Sequence, residues 1–382
     1  MTRIIKLSSP AQILFPTQVI GSMPRLDFVK NLLNNHYNHN NYNNNSNNNE
    51  NNNNNNDNNN QLTNAQSLVI QLQEQAGVDI ISDGEWTRLS YMSVIADLLH
   101  GFTREKKDGV YVHTITERLS WKQKGLFVRE ALFLSSITKK KIKIAIPSPY
   151  LIGSRMWDEN KSKSAYLSKK EFMLDLAGYL RQELLELAKT NISTVQIDDP
   201  NLCLFVDPQH RKKFKNPEHE CDFVVELINK MIQGINSFEI ALHLCRSSGT
   251  RNRKLSNSTV KGFVAEGTYA FIIPFLKKLK VHQLAMEFAI PDARDFSVLA
   301  ELPSHFKIGL GCVDCRPTVF NTAEEIAAIV EEALKFVNKE RIILNPDCGF
   351  APSSDAPVTL DQAYLKLKEM VKAAKILRDK YG

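Results

Sequence analysis

The chain has 382 residues, 43% hydrophobic and 24% charged, which is the balance of an ordinary globular protein with room for two domains or one large α/β barrel. A formal net charge of +6 is small for this length. The basic clusters (Lys139, Lys140, Lys141 and Lys143; Arg211, Lys212, Lys213 and Lys215; Arg251, Arg253 and Lys254) lack interleaved aromatics, and no apolar run reaches the length of a membrane span, so neither nucleic acid nor a membrane is expected as partner.

The opening MTRIIKLSSPAQILF has no apolar leader core, and the cysteines at 203, 221, 245, 312, 315 and 348 form no compact disulfide framework. A cytoplasmic protein with reduced thiols is expected. The first strand is expected at 17–22 (TQVIGS), followed by a helix over RLDFVKNLL. Residues 34–60 are then nearly all asparagine, with too little apolar surface to offset chain entropy. This tract is expected to be a disordered insertion between that helix and the next, NAQSLVIQLQEQA, inside a single domain spanning 1–382.

Further strands are expected at 78–85, 143–149, 194–200, 239–245, 283–288, 307–314 and 341–348, each a short apolar run rich in β-branched residues. Helical periodicity separates several of them, at 169–189, 222–234, 262–279 and 322–338. The segment 100–135 fits no strand–helix unit and is expected to be an extra hairpin over the barrel mouth. Strand and helix alternating to eight strands implies an α/β fold, a (β/α)8 TIM barrel.

In such a barrel the chemistry gathers at the carboxyl ends of the strands. Those ends carry Ser22, Asp83 and Glu85, Asp198 and Asp199, His243 and Cys245, Glu287, Asp314, and Cys348. His243 and Cys245 are two apart on a strand and so point the same way. Taken alone they would also suit a satisfied histidine beside a core thiol. With Glu287 and Cys348 they make a set of imidazole, thiolate and carboxylate that suits zinc. The pair Cys312 and Cys315 offers a competing redox or second metal site, although residues three apart on a strand face opposite ways. The third basic cluster, after the His-x-Cys strand, could meet an anionic substrate tail.

IGSMPR, SDGEWTR, QIDDP, HLC, MEF and NPDCGF, in that order between about residues 17 and 360, resemble the motifs of the catalytic half of cobalamin-independent methionine synthase and its single-barrel relatives. The resemblance implies a zinc enzyme moving a methyl group from 5-methyltetrahydrofolate to homocysteine, with small-molecule partners only. It places zinc on His243, Cys245, Glu287 and Cys348, the amino-acid carboxylate at Ile20, Gly21 and Ser22, and the ammonium group at Glu85 and Asp198. Physical chemistry supports these roles, since two carboxylates match an ammonium and zinc favours the nucleophilic thiolate over the thiol. Glu85 could instead pair with Arg88, and Asp198 with Asp199 could cap the next helix.

Some positions depart from the family's pattern. Arg316 stands where the synthase has a proton-donating histidine, leaving Asp314 as the candidate catalytic acid, and Leu204 replaces an acidic folate contact. Tyr150 and Trp157 are approximate candidates for an aromatic pterin platform. Two other readings therefore stay open: a zinc alkyltransferase or lyase acting on another thiol, and a non-catalytic barrel that binds metal and amino acid.

Overall fold

The computed structural model describes residues 13–42, 50–107, 110–246, 265–291, 294–351 and 358–382. Seven strands form one parallel sheet in the spatial order β1 (Ile80–Ser82), β4 (Lys141–Pro147), β5 (Thr194–Asp198), β6 (Glu239–Leu244), β7 (Gln283–Glu287), β8 (Lys307–Val313) and β9 (Ile342–Pro346). The intervening β2 (Leu99–Lys107) and β3 (Val110–Trp121) pair antiparallel as a separate hairpin. β5, β7 and β9 are buried along their whole length, as parallel strands must be when helices cover one face and a core fills the other.

The sheet is curled, and both of its edges reach the same short segment: Thr17 bridges to Leu344 of β9 and Gln18 to Ile80 of β1. The expected strand at 17–22 is thus reduced to two bridging residues. Beyond Gln18 the chain leaves the ladder, with the Met23 N–H donating to the Gly84 carbonyl (3.0 Å) and the Ser22 carbonyl accepting from Phe350 (2.9 Å). The other seven expected strands are present, six with shorter bounds and β4 at the same length but two residues earlier.

The expected helix over 262–279 is replaced by a 3-10 turn at Tyr269–Phe271 and a single turn at Ile273–Leu276, residues 262–264 lying outside the described residues. Gly267 has φ +108, so no helix can run through it, and a Cβ there would sit 2.5 Å from the Val206 carbonyl oxygen. Pro274 is accommodated at the start of the second turn.

The asparagine tract also differs from expectation. Helices Asp27–Tyr42 and Glu50–Ala76 run into it from both sides, and 43–49 lie outside the described residues. Extending a helix is far easier than nucleating one, so amphipathic segments anchored on the core can carry helix into polar sequence. The anchors are Val29, Leu33, Leu62, Ala65, Val69 and Ile70, all buried. Tyr37, inside the tract, packs on the core and donates to Asp97 (2.8 Å).

The hairpin expected over 100–135 forms from β2 and β3 alone, while Leu126–Ile137 is a helix instead of a strand, and the hairpin is braced on the helix Lys169–Leu187 and the turn before it. Tyr179 donates to the Leu119 carbonyl (2.8 Å), the Leu119 N–H donates to Tyr166 (2.9 Å), and Phe102 meets Phe172 edge-on. Among the described residues no helix is long and apolar enough to cross a membrane.

Candidate metal centre

His243 lies on β6 with Cys245 just beyond it, Glu287 ends β7, and Cys348 follows β9 by two residues. The four side chains each present a ligand atom, and these atoms all lie within 4.8 Å of one another. Strand parity brings His243 and Cys245 to one side, and the parallel register sets Asp198 opposite His243 and Glu287 opposite Gly311. His243, Glu287 and Cys348 are buried and Cys245 half-buried.

The electrostatics suit a bound cation. Burial, with help from Cys245 and Asp347, pushes the Glu287 carboxyl well above the usual range. For Cys348 the hydrogen bond from Cys245 pulls the thiol down, but burial and Glu287 push harder and the net shift is upward. Anionic donors crowded into a dry site repel one another, and a dication relieves that repulsion. Two thiols, an imidazole and a carboxylate make a donor set suited to zinc.

Neighbouring groups hold the ligands in place. Asp198 Oδ1 lies 3.2 Å from His243 Nδ1. Asp347 Oδ1 accepts from the Phe288 and Ala289 N–H groups (both 2.9 Å), which fixes the loop after Glu287. Its carboxylate rests on Gly311, where a Cβ would fall 2.4 Å from Oδ1. The Cys315 thiol donates to the Cys348 carbonyl (3.0 Å) and accepts from the Cys348 N–H (3.3 Å).

The expected amino-acid end adjoins this centre. Ser22 is packed by Gly349, whose Cβ would lie 2.5 Å from Ser22 Oγ, so the Ile20–Ser22 turn touches the loop that carries Cys348. A Cβ on Gly21 would lie 2.7 Å from Glu85 Oε1. Glu85 has φ +57, a left-handed backbone that costs a non-glycine residue about 1 kcal/mol or more. It is held there by its N–H donating to Asp83 Oδ1 (3.1 Å) and by Arg25, which donates to the carbonyls of Glu85 and Arg88. Burial raises the Glu85 carboxyl to about 7, the nearby Arg88 pulling down and Asp198 and Asp83 pushing up.

Arg88 makes its own salt bridge with Glu130 (2.5 Å), so the simple Glu85–Arg88 pair is not formed. Capping falls to Asp199, which accepts from the Leu202 N–H (2.9 Å) and from Ser148 (2.6 Å) and whose carboxyl burial raises to about 6. Asp198 is left facing His243.

Asp314 is buried at the end of β8 and clasped by Arg316, whose Nε lies 3.0 and 2.9 Å from its two oxygens. Tyr150 and Trp157 have packing roles: Tyr150 is core with its hydroxyl on Glu220, and Trp157 stacks on Phe172. Leu204 is partly buried against the core. Cys312 donates to the Asn345 carbonyl (3.7 Å), and among the described residues neither it nor Cys315 joins a ligand cluster. The third basic cluster, Arg251 to Lys254, lies outside the described residues.

Asp347 went unread in the sequence despite sitting beside Cys348 in NPDCGF. So did Tyr91, whose phenol is pushed up by burial and by the nearby Cys245, Asp198 and Cys348. A sequence-level signal existed only for Asp347, as an acid one residue from a ligand.

The sequence matches the family described as "Cobalamin-independent synthase, Catalytic domain" over residues 15–376. It is 26% identical over 373 residues to a methionine synthase of Saccharolobus solfataricus, covering 96% of each chain. It is 27% identical over 374 residues to one of Thermococcus kodakarensis, covering 96% of this chain and 94% of the relative. In fold it resembles a B12-independent methionine synthase from Shewanella sp. W3-18-1 solved with selenomethionine (22% identity, TM-score 0.70, covering 96% of this chain and 98% of that one). A putative vitamin-B12 independent methionine synthase from Listeria monocytogenes is similar as well (20%, TM-score 0.65, covering 95% and 96%). The chain belongs to the cobalamin-independent synthase catalytic-domain family and is a methyltransferase of the methionine synthase kind.

Proposed function

We propose that this protein is a zinc-dependent methyltransferase that moves a methyl group from 5-methyltetrahydrofolate to the sulfur of homocysteine, in the cytoplasm. The observation that carries the reading is the convergence of four ligand atoms within 4.8 Å beside two carboxylates, Glu85 and Asp198. The architecture proposed with it is one domain, an eight-stranded barrel closed through Thr17 and Gln18, with the asparagine tract as an insertion.

His243, Cys245, Glu287 and Cys348 would hold the metal; bound there, zinc supplies a Lewis acid that keeps an incoming thiol in its nucleophilic thiolate form. The rest is the work of the chain. The Ile20–Gly21–Ser22 turn offers backbone donors to the amino-acid carboxylate, and Glu85 and Asp198 offer negative charge to its ammonium group. Asp314, tied to Arg316, is the candidate acid on the donor side. The selenomethionine held by the Shewanella protein is an analogue of the proposed product and agrees with an amino-acid site in this fold.

A zinc alkyltransferase acting on another thiol is the second reading, and it is favoured by Arg316 engaging Asp314 where a free proton donor is wanted. Asp198→Asn separates these. Asparagine keeps an acceptor for His243 but loses the charge, so homocysteine should bind roughly ten- to a hundredfold more weakly at saturating zinc. A thiol of similar size without the amino group should bind equally to both proteins. Equal losses for the two thiols, or no homocysteine binding by the unmodified protein, would remove homocysteine as acceptor.

A further inference from the structure

Lys143 is fully buried inside the sheet, although in sequence it belongs to a basic cluster. Its Nζ donates to Gln196 Oε1 (2.8 Å) and reaches Gln18 Oε1 (3.3 Å). Gln196 Nε2 donates in turn to Asp198 Oδ1 (2.7 Å), and that same oxygen faces His243 Nδ1 (3.2 Å). Lys143 and Asp198 fix the orientation of the glutamine amide between them. An ammonium can only donate and a carboxylate only accept, so the glutamine amide between them has its oxygen toward Lys143 and its NH2 toward Asp198. Asp198 Oδ1 being an acceptor, His243 donates to it from Nδ1, and the lone pair of Nε2, which lies 3.4 Å from the Asp347 carbonyl oxygen, is then the one a metal would take. Among the described residues Asp198 Oδ2 takes no hydrogen bond, so it is the oxygen left for an ammonium group.

We infer that Lys143 and Gln196 are positioning residues which, through Asp198, fix the tautomer of the ligand His243 and reserve one Asp198 oxygen for the amino-acid ammonium. The inference rests on the zinc and homocysteine reading above. It couples the two halves of the site, since one carboxylate orients a metal ligand with one oxygen and meets substrate with the other. Burial pulls the Lys143 ammonium down to about 7 while Asp198 pulls it up, a cost that an ordinary core position would avoid with an apolar side chain. Gln283 belongs to the same polar layer, its Nε2 having no partner and lying with Asn345 Oδ1 and Gln18 Nε2 around Gly309. It therefore serves as a control for general damage to the interior.

The test measures zinc affinity by competition with a chromophoric chelator, and homocysteine affinity of the zinc-loaded protein by calorimetry. Lys143→Met removes the donor, and Gln196→Glu keeps a partner for Lys143 but loses the donor to Asp198. Each should weaken both affinities about tenfold, the scale of a lost partner of a metal-bound histidine, whereas Gln283→Leu should leave both unchanged. In an Asp198→Ala background, which removes the acceptor shared by Gln196 and His243, the same two substitutions should change either constant by less than about twofold, because both act through Asp198. A merely structural role gives losses that multiply instead. Multiplying losses, or wild-type affinities in Lys143→Met and Gln196→Glu, would overturn the inference. Should Lys143→Met fail to fold, Gln196→Glu, with its lysine still paired, decides alone. An unmodified protein that binds no zinc would remove the underlying reading rather than this one.

Discussion

The Sγ atoms of Cys245 and Cys348 stand 3.5 Å apart although 103 residues separate them in the chain. Two thiols this close, flanked by His243 and Glu287, form half of a tetrahedral donor set. Purified protein should carry one zinc, and Cys245→Ser or Cys348→Ser should lower that content sharply because a soft ligand is lost. Cys221→Ser, in the core face of the helix Pro217–Met231, should leave it unchanged. Elemental analysis showing the same zinc in all three variants would remove the site.

The Glu85 carboxyl, raised by burial from 4.5 to about 7, gives a pH signature. Above its ordinary value and below 7 the folded protein holds a proton that the unfolded chain has released, so this group's contribution to stability falls as pH rises through that window. Ammonium binding runs the other way, since only the ionised carboxylate attracts it. Methionine has no thiol to titrate, and its affinity should therefore increase from about pH 6 to about pH 8. Glu85→Gln should flatten that dependence; a slope that persists in the variant would show that another group governs it.

Gly21 leaves room for the Glu85 side chain and nothing more. Gly21→Ala places a methyl group where Oε1 now lies and should displace the carboxylate, weakening methionine binding about tenfold, the scale of one charge-assisted bond. Zinc content should stay the same because no ligand touches that methyl. Unchanged methionine affinity would mean that Glu85 does not contact the amino acid.

Tyr37 makes part of the asparagine tract structural. Tyr37→Phe should cost about 1 kcal/mol through the lost bond to Asp97. Replacing residues 38–60 by a Gly/Ser linker should cost little, since loop-closure entropy grows only logarithmically with length. Thermal melts compare the two directly, and a greater loss from the linker would place further packing within the tract.

The cluster that could hold a metal was legible because its chemistry resides in residue type and in the two-residue spacing of His243 and Cys245. The strands were legible from short β-branched runs. Lys143 was not read as interior, since KKKIK looks like a solvated patch. Only strand parity, which puts Lys143 on the same face as Ala145 and the isoleucines 142, 144 and 146 on the other, carried the signal. The loss of the helix over 262–279 turned on one glycine at φ +108, a backbone requirement invisible to periodicity. The same holds for Glu85, whose left-handed backbone depends on Arg25 and Asp83 rather than on its own side chain.

The loop bearing Cys348 is fastened to the beginning of the chain: Phe350 donates to the Ser22 carbonyl (2.9 Å) and Leu344 to the Pro16 carbonyl (2.8 Å). During vectorial synthesis the segment at Pro16–Ser22 emerges well before Leu344 and Phe350, so the Pro16 and Ser22 carbonyls wait for those partners, although Thr17 and Met23 can already pair with Ile80 and Gly84. Contacts this distant in sequence also slow folding once the chain is released. The proposed ligand set is complete only when Cys348 has been made and docked, and metal capture there would be a late event that the nascent polypeptide could not use to guide its earlier steps.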